Sequence, residues 1–543
     1  MKRAFALVLL ATLVLSACTP VSAPTSIPAT SVALLPTDTP APTATFTSTP
    51  TPTATPANTA TPTVTPTATA TPTVTPTATP TPIPTLPPEQ VGGLTGVPDP
   101  RYSNPELFDL NDPDAPIPQF VHALNKAGIE ISSEQVLQGL THQTLEFPQR
   151  DPETGEIKGI ETVAFALYNL DESLFPEEYH DLVGPVPLFI ARQNENGEWK
   201  WSEYTPFIHH QINGGILVGF SWDGREHKLI YDKKIPAVVI PGPLYRHENG
   251  GDSRVRSLAL YLENEGISFM PNHLFWHFLH LPLPTGEPVY YPPENFKSKE
   301  YTQQWMAERA DTYFKQLRGI DFLTVVNEPI YYWNGKIGYE KSPYYNYMGE
   351  DWIYYAFEIT IQKAIENGID PQSLYFVWND YGAETVNPKS DYIRNQIISL
   401  RNRLSKRFNI PINIAVGLQF HIGADKEKII KPYLPYPNEE LTYKKLLDNF
   451  DSFKRAGIPV LITEFDVNGY NDYETGVPDS LTQSRTVKMV MEAALDSENV
   501  LSFTWWGSMH QNNEFDTNGN PMLPYYVINS LLYQAVANTS NNP

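Results

Sequence analysis

The sequence predicts an α/β fold: a (β/α)8 TIM barrel over residues 210–543, preceded by a small α+β accessory region over residues 99–209. Three observations carry this. Short apolar runs recur eight times beyond residue 212, helical patterns separate most of them, and several runs end in polar or aromatic residues. Buried parallel strands read as short continuous apolar stretches, and strands alternating with helices over this length make a barrel.

The eight runs are Ile216–Phe220, Ala237–Ile240, Ile267–Phe275, Phe322–Val326, Leu374–Val377, Ile412–Leu418, Pro459–Ile462 and Leu501–Trp505. Between them, Asp252–Gly266 places Val255, Leu258, Ala259 and Leu262 on one face and stops at Gly266. Asp351–Gly368 does the same with Ile353, Phe357, Ile361 and Ile365, and ends at Asn367-Gly368. Tyr301–Arg318, Lys389–Arg407, Glu439–Gly457 and Thr482–Leu495 are the other helix candidates. An open doubly wound sheet is the alternative, but the first strand is followed by no glycine-rich phosphate loop.

Ahead of the barrel the pattern is mixed. Phe120–Gly128 and Ser133–Leu140 look helical, with Ser132 or Ser133 as cap. Thr144–Phe147, Thr162–Tyr168, Val186–Ile190 and Trp199–Tyr204 look like strands, with a turn at Asn194–Gly197. No chemical motif stands out in this region.

The N-terminus reads as a processing segment. Lys2 and Arg3 precede an apolar run, Phe5–Leu15, that is too short to span a bilayer. Leu15-Ser16-Ala17-Cys18 resembles a bacterial lipoprotein signal, so residues 1–18 are expected to end in a lipidated Cys18. An ordinary secretory signal with a stray cysteine is the alternative. Residues 19–98 form a Thr/Pro-rich linker, with 18 prolines and 25 threonines between Thr19 and Pro88 and Asp38 as the one charge. Such a segment favours extended polyproline II and cannot build a core. An extracytoplasmic protein, anchored at the membrane by its lipid alone, is the expectation.

Composition narrows the partners. The 543 residues include one cysteine, which excludes a disulfide framework and cysteine-rich metal sites. The formal charge of -23 disfavours nucleic acid and anionic lipid surfaces. No cofactor and no metal are expected, and the protein is expected to be a monomer. The 10 Trp, 30 Tyr and 25 Phe lean toward neutral ring-shaped ligands.

Barrel chemistry sits at the C-terminal ends of the strands. The fourth run leads into Val326-Asn327-Glu328-Pro329, and the seventh into Ile462-Thr463-Glu464-Phe465-Asp466. A carboxylate directly after an apolar strand is costly unless it is paired or working. Two of them facing each other across a barrel mouth match retaining glycoside hydrolysis, whose acid/base and nucleophile stand ~5–5.5 Å apart. The other runs lead into Trp276-His277, Asn379-Asp380-Tyr381, Gln419-Phe420-His421 and Trp505-Trp506-Gly507. These supply hydrogen-bond partners for hydroxyls and, in Trp506, an apolar platform for a sugar face.

On these motifs, residues 212–530 resemble glycoside hydrolase family 10, the retaining endo-β-1,4-xylanases. The matching pieces are Trp276-His277 with Leu281-Pro282, Val325–Pro329, Leu374–Tyr381, Gly417–His421, Ile462–Val467, Phe503–Gly507 and the tail Phe515–Tyr526. The resemblance implies Glu328 as acid/base and Glu464 as nucleophile. It implies Asn327 on the sugar 2-hydroxyl, His421 bonded to Glu464 and oriented by Asp466 in a fixed tautomer, and His277, Asn379, Tyr381, Gln419 and Trp506 as supporting or substrate-binding residues. Glu328 is expected to keep its proton at the start, its pKa raised by the Glu464 charge.

Departures from the family pattern lie in recognition. Residues 241–249 lack the Glu-Asn-x-x-Lys-Trp stretch expected after the second strand. Asn272-His273 is one residue out of register with the family's Gly-His pair, and Tyr331–Gly349, with six tyrosines, is an atypical insertion. The expected partner is therefore a β-linked polysaccharide, xylan first. The same chemistry on glucan, mannan or decorated xylan, and a non-catalytic glycan-binding lipoprotein, are the alternatives.

Overall fold

The computed structural model describes residues 97, 104–150, 156–221, 235–240, 253–276, 280–282, 288–290, 297–317, 319–333, 335–424, 430–432, 440–469, 479–506, 514–516 and 518–540. The signal segment with Cys18, nearly all of the Thr/Pro linker, His277 and the 241–249 loop lie outside the described residues.

The N-terminal region opens with helices α1 (Pro116–Lys126) and α2 (Ser133–Gln138). Ser132 caps α2: its hydroxyl accepts from Gln135 N, and the Gln135 side chain accepts from Ser132 N over 2.8 Å. Leu140, expected to close that helix, instead opens strand β1 (Leu140–Arg150), because Gly139 caps α2 first. Strands β2 (Ile157–Leu170), β3 (Gly184–Gln193) and β4 (Trp199–Glu203) complete an antiparallel sheet in the order β1-β2-β3-β4. These strands run well past the short apolar stretches seen in the sequence. Helix α3 (Pro206–Asn213), capped by Thr205, leads into the barrel.

The middle of β2 is buried on both faces, which is why Val163-Ala164-Phe165-Ala166-Leu167 reads as an unbroken apolar run. Ala164 and Ala166 join the large core shared with the barrel. Val163, Phe165 and Leu167 pack with Leu145, Phe147, Ile190 and Tyr204 against Tyr533 and Val536 of the C-terminal helix.

Eight barrel strands follow. They are β5 (Leu217–Ser221), β6 (Ala237–Ile240), β7 (Ser268–Pro271, resuming at Phe275–Trp276), β8 (Phe322–Asn327), β9 (Tyr375–Tyr381), β10 (Ile414–Ala424), β11 (Val460–Gly469) and β12 (Val500–Trp505). The first part of β7 pairs with β6 and the second part with β8, so the parallel path β7-β6-β5-β12-β11-β10-β9-β8-β7 returns to its start. Every apolar run read as a strand is one. Leu217, Ala237, Met270, Phe322, Val377, Ala415 and Leu461, from the first seven barrel strands, form one buried cluster with Leu501 of the eighth against it.

The helices match the sequence pattern within a few residues: α4 (Ser253–Glu265), α5 (Lys299–Gln316), α7 (Trp352–Glu366), α8 (Pro388–Phe408), α9 (Tyr443–Arg455) and α10 (Ser480–Ser497). The Tyr-rich insertion is ordered: a hairpin, Ile330–Trp333 with Lys336–Tyr339, then helix α6 (Pro343–Met348). Tyr344 stacks on Trp352 at 5.2 Å between ring centroids, which ties the insertion to α7. Helix α11 (Leu523–Ser540) closes the chain, with Phe120 edge-on to its Tyr526 at 4.8 Å.

Candidate active site

Strand register assembles the site. In a strand, residues two apart point to one face. Asn379 and Tyr381 on β9, Gln419 and His421 on β10, and Glu464 and Asp466 on β11 are three such pairs. The ladder sets Asn327 beside Asn379, Tyr381 beside Gln419, Gln419 beside Glu464 and His421 beside Asp466. The sequence pattern places these residues at strand ends, yet all of them lie within the strands, while Glu328 and Trp506 follow directly after β8 and β12. Extra inter-strand pairing continues past the apolar runs and fixes their backbone.

A bulge aims Glu464. Leu418 faces Ile462, but Gln419 faces Glu464, so the register passes over Thr463. Thr463 Oγ1 donates to Asn379 Oδ1 over 2.5 Å, and Glu464 also reaches the Asn379 amide. Two successive residues therefore serve one interior. Gly417 makes room for them: a Cβ there would collide with Asn379 Oδ1 and come within 2.9 Å of Thr463 Cγ2.

Glu328 stands in the turn directly after β8 at φ 48°, a left-handed conformation unusual for a glutamate. Its backbone N–H donates to Asn379 O over 2.9 Å, which holds that turn against β9. Its carboxylate accepts from Trp276 Nε1 at 3.1 Å and from Gln419 Nε2 at 3.0 Å. Gln419 Nε2 also lies 3.2 Å from Asn327 Oδ1, and Asn379 Nδ2 donates to Asn327 Oδ1 at 2.7 Å and to Glu464 Oε1 at 2.8 Å. One chain of amides thus links the two glutamates. Burial raises the Glu328 pKa to about 7, helped by the Glu464 charge, and the Gln419 and Trp276 donors only partly offset this.

Glu464 is 5% exposed and keeps hydrogen-bond partners on both oxygens. Oε1 takes Asn379 and, at 3.3 Å, Asn272 Nδ2; Oε2 lies 3.4 Å from His421 Nε2. His421 Nδ1 is 2.8 Å from Asp466 Oδ2. Burial alone would lower the His421 pKa, but Asp466 and Glu464 outweigh it and push the ring well above its ordinary value. A carboxylate stands at each ring nitrogen, and this arrangement favours the protonated ring over the single fixed tautomer expected from the sequence.

Tyr381 stands beside this network. Its ring lies over Lys389 Nζ at 3.5 Å, and Lys389 forms a fully buried ion pair with Asp380 at 2.8 Å. Trp506 is held by its backbone N–H, which donates to Phe465 O over 2.8 Å, and its ring lies 6.5 Å from His421. Glu328, Glu464, Asn327, Asn379, Gln419, His421 and Asp466 thus form one bonded cluster, with Tyr381 and Trp506 at its margins.

Sequence reasoning passed over Trp276, Asn272, Thr463 and Glu384. Trp276 stood beside His277 in the motif, but a tryptophan after a strand reads as packing. Glu384 is 2% exposed, accepts from Gly382 N at 2.8 Å, and is raised by burial to about 7. No signal short of the fold marks it. Among the described residues no cluster of three or more His, Cys, Asp or Glu is placed to hold a metal, and no helix is long and apolar enough to cross a membrane.

Residues 255–530 match the family described as "Glycosyl hydrolase family 10", about half of the chain. The chain belongs to that family. Among curated proteins, it is 24% identical over 253 residues to "Endo-1,4-beta-xylanase B" of Thermotoga neapolitana, covering 43% of this chain and 63% of that protein. It is 27% identical over 261 residues to "Endo-1,4-beta-xylanase A" of Caldicellulosiruptor sp. (strain Rt8B.4), covering 46% of this chain and 33% of that protein. The family 10 chain therefore spans less than two thirds of the curated relatives it matches. Similar solved structures include native xylanase 10B from Thermotoga maritima (18% identity, TM-score 0.47, 62% of this chain and 100% of that one). Penicillium canescens endo-1,4-beta-xylanase XylE is another (16% identity, TM-score 0.49, 61% of this chain and 98% of that one).

Proposed function

We propose that the protein is a retaining β-1,4-glycosidase that hydrolyses xylan, in the manner of an endo-1,4-β-xylanase. The observation that carries the reading is the division of labour between two carboxyls in one mouth. Glu328 has its pKa raised to about 7 by burial and by Glu464, so it holds a proton to give. Glu464 faces only donors: the Asn379 and Asn272 amides on Oε1 and the His421 ring at Oε2. A carboxyl that holds its proton beside one met by donors is the pairing that an acid and a nucleophile require.

The reaction follows from these roles. A Glu464 oxygen attacks the anomeric carbon while Glu328 passes its proton to the glycosidic oxygen, which leaves as an alcohol. The product is a glycosyl ester on Glu464. Glu328, now ionised, takes a proton from water as that water attacks the anomeric carbon and releases Glu464. Asn327, held by Asn379 and Gln419, meets the sugar 2-hydroxyl, and Trp506 offers an apolar face. The names of the curated relatives, both endo-1,4-beta-xylanases, favour xylan over other β-glycans. Action at the cell surface, on a Thr/Pro stalk anchored through Cys18, belongs to the same proposal and rests on the N-terminal sequence.

The test is hydrolysis of purified xylan, β-glucan and mannan with product mapping, in parallel for the native protein and Glu464→Ala. Xylo-oligosaccharides from the native protein alone are expected. Undiminished hydrolysis by Glu464→Ala would sink the assignment, and products from glucan or mannan only would move the substrate.

A further inference from the structure

One partner of Glu464 comes from an unexpected place. Asn272 occupies the break in β7, between Ser268–Pro271 and Phe275–Trp276. It is 1% exposed, its Nδ2 donates to Glu464 Oε1 over 3.3 Å, and its Oδ1 has no partner among the described residues. Chemistry orients the amide, since an ionised carboxylate accepts and never donates. The reverse flip would set two acceptors against each other. A buried amide oxygen without a partner is a local cost that an apolar side chain of similar size would avoid. The barrel interior nevertheless holds an amide at this position, and its one bond is to Glu464.

We propose that Asn272 is a positioning residue for Glu464: its amide is the second donor on the oxygen that Asn379 also serves, and it fixes the plane of the carboxylate and favours its ionised form. This rests on the reading of Glu464 as nucleophile. Asn379 approaches from β9, Asn272 from the break in β7 and His421 from β10, so the three contacts hold the carboxylate from three sides. The charged groups that surround it are His421 on β10, Glu328 in the turn after β8 and Asp466 on β11 itself. Asp380 of β9 acts on Glu328, and His421 acts on Glu384. From β7, His273 stands edge-on to Trp276 at 4.6 Å. Asn272 is the neutral donor in this set from β7.

The experiment is the pH dependence of kcat/KM for the native protein, Asn272→Leu and Asn272→Ser on the β-glycan that the native protein cleaves, together with Tm. Without the donor, the acid limb, which reports ionisation of Glu464, moves up by about half a pH unit, and kcat/KM on the plateau falls about three- to tenfold. The Tm of Asn272→Leu stays within about 2 °C of native or rises, because the unpartnered oxygen is gone. An acid limb that stays in place in both variants overturns the proposal, as does activity that falls only in step with Tm. If Asn272→Leu does not fold, the limb of Asn272→Ser decides. A native protein that cleaves no β-glycan would be a failure of the functional reading instead. The Glu464 carboxyl, titrated by carbon NMR in native protein and variant, then decides: an upward shift upholds the role of Asn272 and none refutes it.

Discussion

Trp276→Phe isolates the electrostatics of the acid. Trp276 Nε1 donates to Glu328 Oε2 over 3.1 Å, and this bond favours the ionised carboxylate. Phenylalanine keeps an aromatic ring and removes the N–H. A hydrogen bond to a charged group nets about 1.5–3 kcal/mol when fully desolvated. Glu328 is only half-buried, so water replaces part of the loss, and about 1 kcal/mol remains. One pKa unit is 1.36 kcal/mol, so the Glu328 pKa should rise by about half a unit to one unit above its starting value. The sign is definite. In the native protein the proton that Glu328 must give is lost as pH rises through about 7. In Trp276→Phe it is lost later. The assay is kcat/KM against pH on a soluble β-glycan, and the alkaline limb should move upward while the acid limb stays. An alkaline limb that stays or moves down would refute this account of the acid.

Three further outcomes are expected. Gly417→Ala should lower kcat/KM about tenfold or more and destabilise the fold by about 1–3 kcal/mol, because the new methyl displaces the Asn379 amide that bridges Asn327 and Glu464; native-like kinetics would contradict it. Glu328→Gln should change the pH dependence of stability in urea denaturation. The folded pKa of about 7 exceeds the unfolded value near 4.3, so native stability is full below about pH 4.3 and declines as pH rises to 7. The glutamine variant should therefore be about 1–2 kcal/mol more stable than native at pH 8, after allowance for partial exposure, and no more stable near pH 4. Tyr533→Ala should cost about 3 kcal/mol, read as a lower denaturation midpoint, since Tyr533 is 2% exposed and packs on Phe165 at 5.1 Å between ring centroids.

The barrel was legible because buried parallel strands leave a simple trace: Phe322–Val326 and Pro459–Ile462 are short, apolar and followed by polar residues. The pairing of Glu328 with Glu464 was legible for the same reason, since each follows such a run. What stayed hidden depends on register and on contacts distant in sequence. The bulge at Thr463 turns Glu464 inward, yet nothing in Ile462-Thr463-Glu464 announces it. Asn272 looked like a motif out of register, and its bond to Glu464 spans 192 positions. The rise of the His421 pKa needed both carboxylates placed, one at each ring nitrogen. The N-terminal sheet was under-read because strands such as Leu140–Arg150 carry polar residues at their ends, where pairing rather than burial sustains them.

The most direct test of the account is to trap its covalent intermediate. A 2-deoxy-2-fluoro-β-xylobioside with an activated leaving group slows hydrolysis of the glycosyl ester more than its formation. After incubation with the native protein, mass spectrometry of a proteolytic digest should find one fluoroxylobiosyl group per chain, on the peptide that contains Glu464. A label on another residue, or xylan hydrolysis with inversion of the anomeric centre, would contradict it.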